Sequence, residues 1–173
     1  MKSTSLRVID TNVLLVANGQ HENTSDECMI ACIEALEKLR ESGGIVLDDG
    51  YQIINEYQRN TSPNSGQRFG DAFLKWLLQN VQNRKYVELV TILPHPERGY
   101  ESFPDDGDLI DFDTQDRKFI AVSVVHGHRP KICQGTDSKW LIWSEKLARH
   151  GINVEFLCSA DVQRFFNRKI NNQ

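Results

Sequence analysis

The sequence has no apolar run that approaches the roughly 20 residues needed to span a membrane. Its opening, Met1–Leu6, also lacks the apolar core of a signal peptide, because the charged residues Arg7 and Asp10 follow at once. These two absences argue against a membrane partner and lead us to expect a cytoplasmic protein.

An excess of positive charge is missing as well. The chain carries 24 Asp and Glu against 20 Lys and Arg, which gives a formal net charge of −4. Domains that hold nucleic acid by bulk charge usually present a basic surface. This balance disfavours such a domain, but it is compatible with an enzyme that meets phosphates through metal ions and a few local cations.

Cysteine is sparse, with four residues in the whole chain, namely Cys28, Cys32, Cys133 and Cys158. Cys28 and Cys32 lie one helical turn apart on an apolar stripe that continues through Leu36 and Leu39. Because unpaired cysteine is among the residue types most often buried, we expect reduced thiols in the core rather than a disulfide or a zinc site.

The 173 residues suit a single domain, residues 1–173, with an acidic loop insertion at about 94–111. Short apolar runs predict strands at 6–9, 45–47, 86–93, 131–133 and 152–157. A capping box at Thr24–Glu27, with Thr24 as the N-cap, predicts the start of a helix that runs to about Glu41. Helical periodicity predicts further helices at 51–59, 69–81, 112–126, 138–150 and 159–169. This alternation indicates an α/β fold, a three-layer α/β/α sandwich around a central, mostly parallel sheet.

Four acidic residues occupy positions where such a fold gathers side chains: Asp10, Glu56, Asp116 and Asp137. Asp10 and Asp137 follow predicted strands, and ligands of open α/β sheets bind outside the carboxyl ends of the strands. Carboxylates gathered in a cleft repel one another, and a hard divalent cation relieves that repulsion. The pattern favours a Mg²⁺ or Mn²⁺ site.

Each acid also has an ordinary interpretation. Asp10 and Asp137 are suited to cap helices, Asp116 to complement a helix dipole, and Glu56 to lie solvated on the surface. Asp113 is a rival to Asp116 for the third metal position. Taken jointly, the order and context of the four favour the metal site.

With these residues in place, the chain resembles the PIN-domain nucleases from about Leu6 to Leu157. The resemblance is carried by Val8-Ile9-Asp10-Thr11-Asn12 after an apolar strand, by Asp116-Arg117-Lys118-Phe119-Ile120-Ala121 opening a helix, and by Thr136-Asp137 after a later strand. Glu56 matches the remaining acid of the family, although this match is weak on its own.

The resemblance implies a metal-dependent endonuclease, most often an endoribonuclease on single-stranded RNA, with DNA as the other polymer. Asp10, Glu56, Asp116 and Asp137 would hold one or two Mg²⁺ or Mn²⁺ ions, and Asn12 and Thr136 would orient these ligands. The family contains toxins of toxin–antitoxin modules as well as defence and RNA-processing enzymes, so the resemblance leaves open which of these roles applies. It leaves open as well an inhibitor protein encoded in the same operon and a homo-oligomer.

Families of this kind often carry a further acid after the fourth, but here Ser138 and Lys139 follow Asp137, which leaves the number of ions open. Two cations that flank proposed ligands, Lys139 and Arg117, are predicted to contact substrate phosphates. Arg59 and Arg68 are secondary candidates.

Two other functions compete with the nuclease. The first is a catalytically weak scaffold that keeps the fold and binds RNA or a protein. The second is a phosphatase that uses Asp48-Asp49 after a strand. It is disfavoured because the haloacid-dehalogenase motif requires an Asp where Asn12 stands.

Overall fold

The computed structural model describes residues 5–173; the first four residues, on which the expectation about a signal peptide partly rests, lie outside them. The strands in the described part are β1 (Arg7–Ile9), β2 (Ile45–Asp48), β3 (Val87–Val90), β4 (Pro94–His95), β5 (Gly99–Tyr100), β6 (Lys131–Gln134) and β7 (Val154–Phe156). Its α-helices are α1 (Thr11–Ala17), α2 (Asp26–Ser42), α3 (Gln52–Asn60), α4 (Phe69–Asn80), α5 (Arg117–Val125), α6 (Lys139–Ala148) and α7 (Ser159–Asn171).

Five strands form one parallel sheet in the order β3-β2-β1-β6-β7, which confirms the predicted α/β fold. The central strand β1 is flanked by β2 and by β6, and its Val8 and Ile9 have no solvent exposure. The strand order reverses at β1, since β2 and β3 lie on one side while β6 and β7 lie on the other. Such a switch point opens a crevice at the carboxyl ends of the strands.

Helices cover the sheet, and the apolar core lies between them and the strands. On one side α1, α2 and α4 pack against one another, whereas α5 lies against β1, β2 and β6. The contact between α1 and α4 requires glycine at position 70, because a Cβ there would lie 2.3 Å from the carbonyl oxygen of Leu14. In residues 5–173, no helix is both long and apolar enough to cross a bilayer.

The insertion at 94–111 has more structure than its sequence suggested. It contains the β4–β5 hairpin and a short 3₁₀ helix, Gly107–Leu109. The buried guanidinium of Arg117 donates to the carbonyl oxygens of Arg98, Ile110 and Phe112, and it lies 4.6 Å from the ring centre of Phe103. These hydrogen bonds therefore anchor the insertion to Arg117 in the first turn of α5.

This position corrects the prediction that Arg117 contacts substrate phosphates. A phosphate contact requires an exposed cation, but Arg117 is 5% exposed and its donors are taken by backbone carbonyls. The helix it begins also starts later than predicted, at Arg117 rather than Phe112.

The cysteines correct a second expectation. Cys28 on α2 and Cys158 just before α7 form a disulfide, although 130 positions separate them in sequence. Cys32 and Cys133 are buried thiols, as expected. Burial raises the pKa of each of these thiols to about 12, so neither is a reactive thiolate near neutral pH. The disulfide went unpredicted because Cys28 and Cys158 come together only in the tertiary structure, where the Asp161 carboxylate on α7 accepts hydrogen bonds from Ser25 at the start of α2.

A buried carboxylate organises the loop between α3 and α4. Asp71, with no solvent exposure, accepts hydrogen bonds from the backbone N–H of Ser62, from Nδ2 of Asn18, from Nε of Arg68 and from the hydroxyl of Ser65. Burial by itself raises the pKa of Asp71, but the bonds from Ser62, Arg68 and Asn18 outweigh it and lower that pKa below its usual value.

We expect Asp71→Asn to lower the free energy of unfolding by about 2–3 kcal/mol at neutral pH, because it removes charge-assisted hydrogen bonds from a buried site. Since folding lowers this pKa, the stabilisation is present above the unfolded-state value and is lost as the pH falls through the folded-state value. Urea unfolding at neutral and at acidic pH measures both effects. Asp111→Asn, at an exposed position of the insertion, is the control. An equal loss in both variants would contradict the assignment.

Candidate functional site

Asp10 lies at the carboxyl end of β1, in the crevice where the strand order reverses. Its backbone N–H donates to the carbonyl oxygen of Cys133 on β6, and its carboxylate caps α1 by accepting the N–H of Asn12 at 2.8 Å. Asp10 is 5% exposed. Burial, followed by the charges of Asp116, Asp137 and Glu56, raises its pKa well above the usual value.

Asp116 immediately precedes α5 and makes no capping hydrogen bond with its side chain. Burial and the charges of Asp113, Asp137 and Glu56 raise its pKa to about 7, while the nearby ammonium of Lys118 opposes the shift. The charges of Asp137 and Glu56 contribute to the raised pKa of both Asp10 and Asp116. The fold therefore brings the four predicted carboxylates within electrostatic reach of one another.

Asp137 follows β6 and is half-buried, and its carboxylate accepts the backbone N–H of Lys139 at 3.0 Å. The loop that carries it is tied to the end of β1 by Asn12, whose side-chain oxygen accepts the N–H of Thr136 at 2.6 Å and its hydroxyl at 3.3 Å. A side chain at position 135 would displace this oxygen, because a Cβ there would lie 2.5 Å from it. Asn12 and Thr136 thus bind each other and fix the spacing of the two acid-bearing loops.

Glu56 projects from α3 into the same crevice, and both of its carboxylate oxygens are engaged. The hydroxyl of Thr11 donates to Oε1, and the ammonium of Lys118 pairs with Oε2. α3 is held against β1 by the buried hydroxyl of Tyr57, which donates to the carbonyl oxygen of Ile9. Thr11 and Lys118 are the site residues that sequence reasoning missed.

Three of the four acids line two grooves that share Asn12, whereas Asp116 lines neither of them. The larger groove encloses about 770 Å³ and contains Asp10, Glu56 and Lys118 in its wall. The smaller groove encloses about 450 Å³ and is lined by Asp137 together with a largely basic set, His21, Lys139, Phe165, Arg168 and Lys169. Of the two residues predicted to contact phosphate, Lys139 is exposed beside Asp137, whereas Arg117 is buried.

The acids are close but not clustered tightly. Among residues 5–173, no three of their oxygens lie within 4.8 Å of one another; the group that meets this spacing is Cys28, Cys32 and Cys158. Mg²⁺ characteristically keeps several of its waters and contacts one or two carboxylates directly. An all-oxygen donor set of loosely gathered acids fits such a hydrated hard cation.

Two other acids have local roles. Asp113 is exposed, and its carboxylate accepts the N–H of Gln115 at 2.9 Å in the turn before α5. Asp48, fully buried at the end of β2, caps α3 by accepting the N–H groups of Gln52 and Ile53. Asp116 thus fits the third ligand position better than Asp113, and Asp48 is not available as the nucleophile of a phosphatase.

No protein-family model matches the chain, and no curated protein and no solved structure matches it either. We therefore infer its function from the geometry of its own residues.

We expect Asp116→Asn to stabilise the metal-free protein at mildly alkaline pH, by roughly 1–3 kcal/mol. The folded protein retains a proton on Asp116 up to about pH 7, whereas the unfolded chain releases it near about pH 4. Between these values the folded state binds more protons, so stability falls as the pH rises. Urea unfolding in EDTA on both sides of this window measures the effect. An equal gain in the free energy of unfolding at acidic pH, or in the control variant Asp111→Asn, would contradict this expectation.

Proposed function

We propose that this protein is a metal-dependent endonuclease of the PIN type that hydrolyses single-stranded RNA. The observation that carries the proposal is the gathering of Asp10, Glu56, Asp116 and Asp137 at one switch point, with the pKa of Asp10 and of Asp116 raised. Buried carboxylates that destabilise one another are characteristic of functional sites, because a folded protein has little other reason to assemble them.

The residues of the site have different roles in the proposed hydrolysis. A bound Mg²⁺ or Mn²⁺ would lower the pKa of a water molecule and neutralise charge on the phosphate. Asp10, Asp116 and Asp137 would hold the ion at the crevice, and the Asn12–Thr136 hydrogen bond keeps the loops of Asp10 and Asp137 at a fixed spacing. Because water would be the nucleophile, no side chain is needed in that role. The two free thiols, Cys32 and Cys133, would be poor nucleophiles, since burial raises the pKa of both.

The two grooves support a single strand as the substrate. Lys139, Arg168 and Lys169 line one groove and Arg59 lines the other, so cations flank the acids on both sides of Asn12. Such cations bind phosphates without reading sequence. The His21 and Phe165 rings, 5.7 Å apart in the smaller groove, offer faces on which unpaired bases stack.

The competing proposal is a catalytically weak PIN-like scaffold that binds RNA or a protein partner. The wide spacing of the acid oxygens favours it, since three of them do not converge on one point in residues 5–173. A toxin or defence role, an operon-encoded inhibitor and a homo-oligomer stay predictions from the resemblance. A cytoplasmic location stays a prediction from the sequence.

We expect purified protein to cleave labelled single-stranded RNA in Mn²⁺ or Mg²⁺ and not in EDTA. Asp10→Asn should reduce the rate at least 100-fold, because it removes a central ligand charge while keeping the shape and the cap of α1. Circular dichroism confirms that the variant is folded, and labelled DNA identifies the preferred polymer. Equal inactivity of both proteins, with equal Mn²⁺ binding, would support the scaffold instead.

We expect Lys139→Glu to weaken RNA binding about equally for all sequences and to reduce the slope of log K against log salt by about one. Binding is measured by fluorescence anisotropy in EDTA, which prevents cleavage. Lys75→Glu is the matched control, since Lys75 is exposed on α4 and does not line either groove. An unchanged salt slope in Lys139→Glu would refute the contact.

A further inference from the structure

Lys118 is a buried cation inside the acidic crevice, where an ammonium group is unusual. Its side chain is 8% exposed and its Nζ pairs with Glu56, donates to the carbonyl oxygen of Gln115 and lies 4.7 Å from the ring centre of Phe119. A lysine is almost never buried to this degree unless its charge is paired. Its position is therefore determined by the acids and not by solvent.

The pairing changes which acids remain for a metal ion. One oxygen of Glu56 is bound to Lys118 and the other accepts the hydroxyl of Thr11. Neither oxygen can approach a cation without giving up or sharing one of these bonds. Asp10, Asp116 and Asp137 carry no ion pair with a Lys or Arg side chain within residues 5–173, so they are the carboxylates open to a cation.

We propose that the Lys118 ammonium occupies the place of a second divalent cation, so that this crevice binds a single Mg²⁺ or Mn²⁺ through Asp10, Asp116 and Asp137. The inference rests on the proposed function and adds to it the number of ions and the role of Lys118. Charge supports it, because four carboxylates and one ammonium sum to −3, and one divalent cation leaves −1 whereas two would leave an excess of +1.

Lys118 also lies where a second cation would act on substrate. It lines the larger groove with Asp10, and Glu56 and the Gln115 carbonyl hold its ammonium beside the space that a phosphodiester would enter. In a two-ion hydrolase, the second ion stabilises the negative charge that develops on the oxygens of the phosphate. A fixed ammonium supplies part of that stabilisation without a second metal. Lys118 is therefore a positioning residue for Glu56, and its buried charge would act on the phosphate through space and not by direct contact.

The experiment counts Mn²⁺ ions per chain in the absence of RNA. Isothermal titration calorimetry and electron paramagnetic resonance of unbound Mn²⁺ are applied to the wild type, Lys118→Met and Lys118→Arg. We expect one ion in the wild type, two in Lys118→Met, which removes the charge at similar length, and one in Lys118→Arg, which restores a cation. Lys75→Met, on the exposed side of α4, is the control and should bind one ion.

Two ions in the wild type, or one ion of unchanged affinity in Lys118→Met, would overturn the inference. If Lys118→Met does not fold by circular dichroism, Lys118→Gln takes its place, and the wild-type count alone still decides whether a second ion binds. Cleavage of RNA separates the two proposals. Active protein with two ions refutes only the role of Lys118, whereas inactive protein that binds one ion, and two in Lys118→Met, refutes only the nuclease.

Discussion

The parallel pairing of β1 with β2 on one side and with β6 on the other is the constraint on which the candidate site depends. It places the ends of β1 and β6 side by side, so that Asp10 and Asp137 enter one crevice although 127 positions separate them. Two hydrogen bonds fix this junction, from the Asp10 N–H to the carbonyl of Cys133 and from the Thr136 N–H to the side chain of Asn12. A shift of register would move both loops.

Gathering these acids works against folding, and the surroundings limit the penalty. Burial and mutual repulsion raise the pKa of Asp10 and Asp116, which means that their ionised forms destabilise the metal-free protein. Lys118 offsets part of this repulsion at Glu56, and Tyr57 holds the helix of Glu56 against β1. Asp71, by contrast, has a full set of donors and a lowered pKa. The chain thus contains a carboxylate, Asp71, that stabilises a loop, and a group of acids whose ionised forms repel one another.

Two adjacent residues at the start of α5 make different contacts because helix geometry points their side chains in different directions. Arg117 and Lys118 are both buried cations beside Asp116, but successive helical residues point about 100° apart. Arg117 consequently faces the insertion and binds its carbonyls, while Lys118 faces the crevice and binds Glu56. Sequence proximity to a proposed ligand had suggested Arg117 for substrate, and only the rotation of the helix separates the two roles.

The sequence by itself determined the α/β alternation, the five strands of the main sheet and the order of the four acids. It could do so because the periodicity of apolar residues and the positions of turn residues are local signals. Local signals did not reveal helix α1, the cap of α2 at Ser25 in place of Thr24, or the hairpin inside the insertion. Tertiary structure alone decided the Cys28–Cys158 disulfide, the Glu56–Lys118 pair and the burial of Arg117. Each of these depends on which surfaces meet after the sheet forms. The disulfide and the ion pair join residues 130 and 62 positions apart, and such contacts leave no periodic pattern in the sequence.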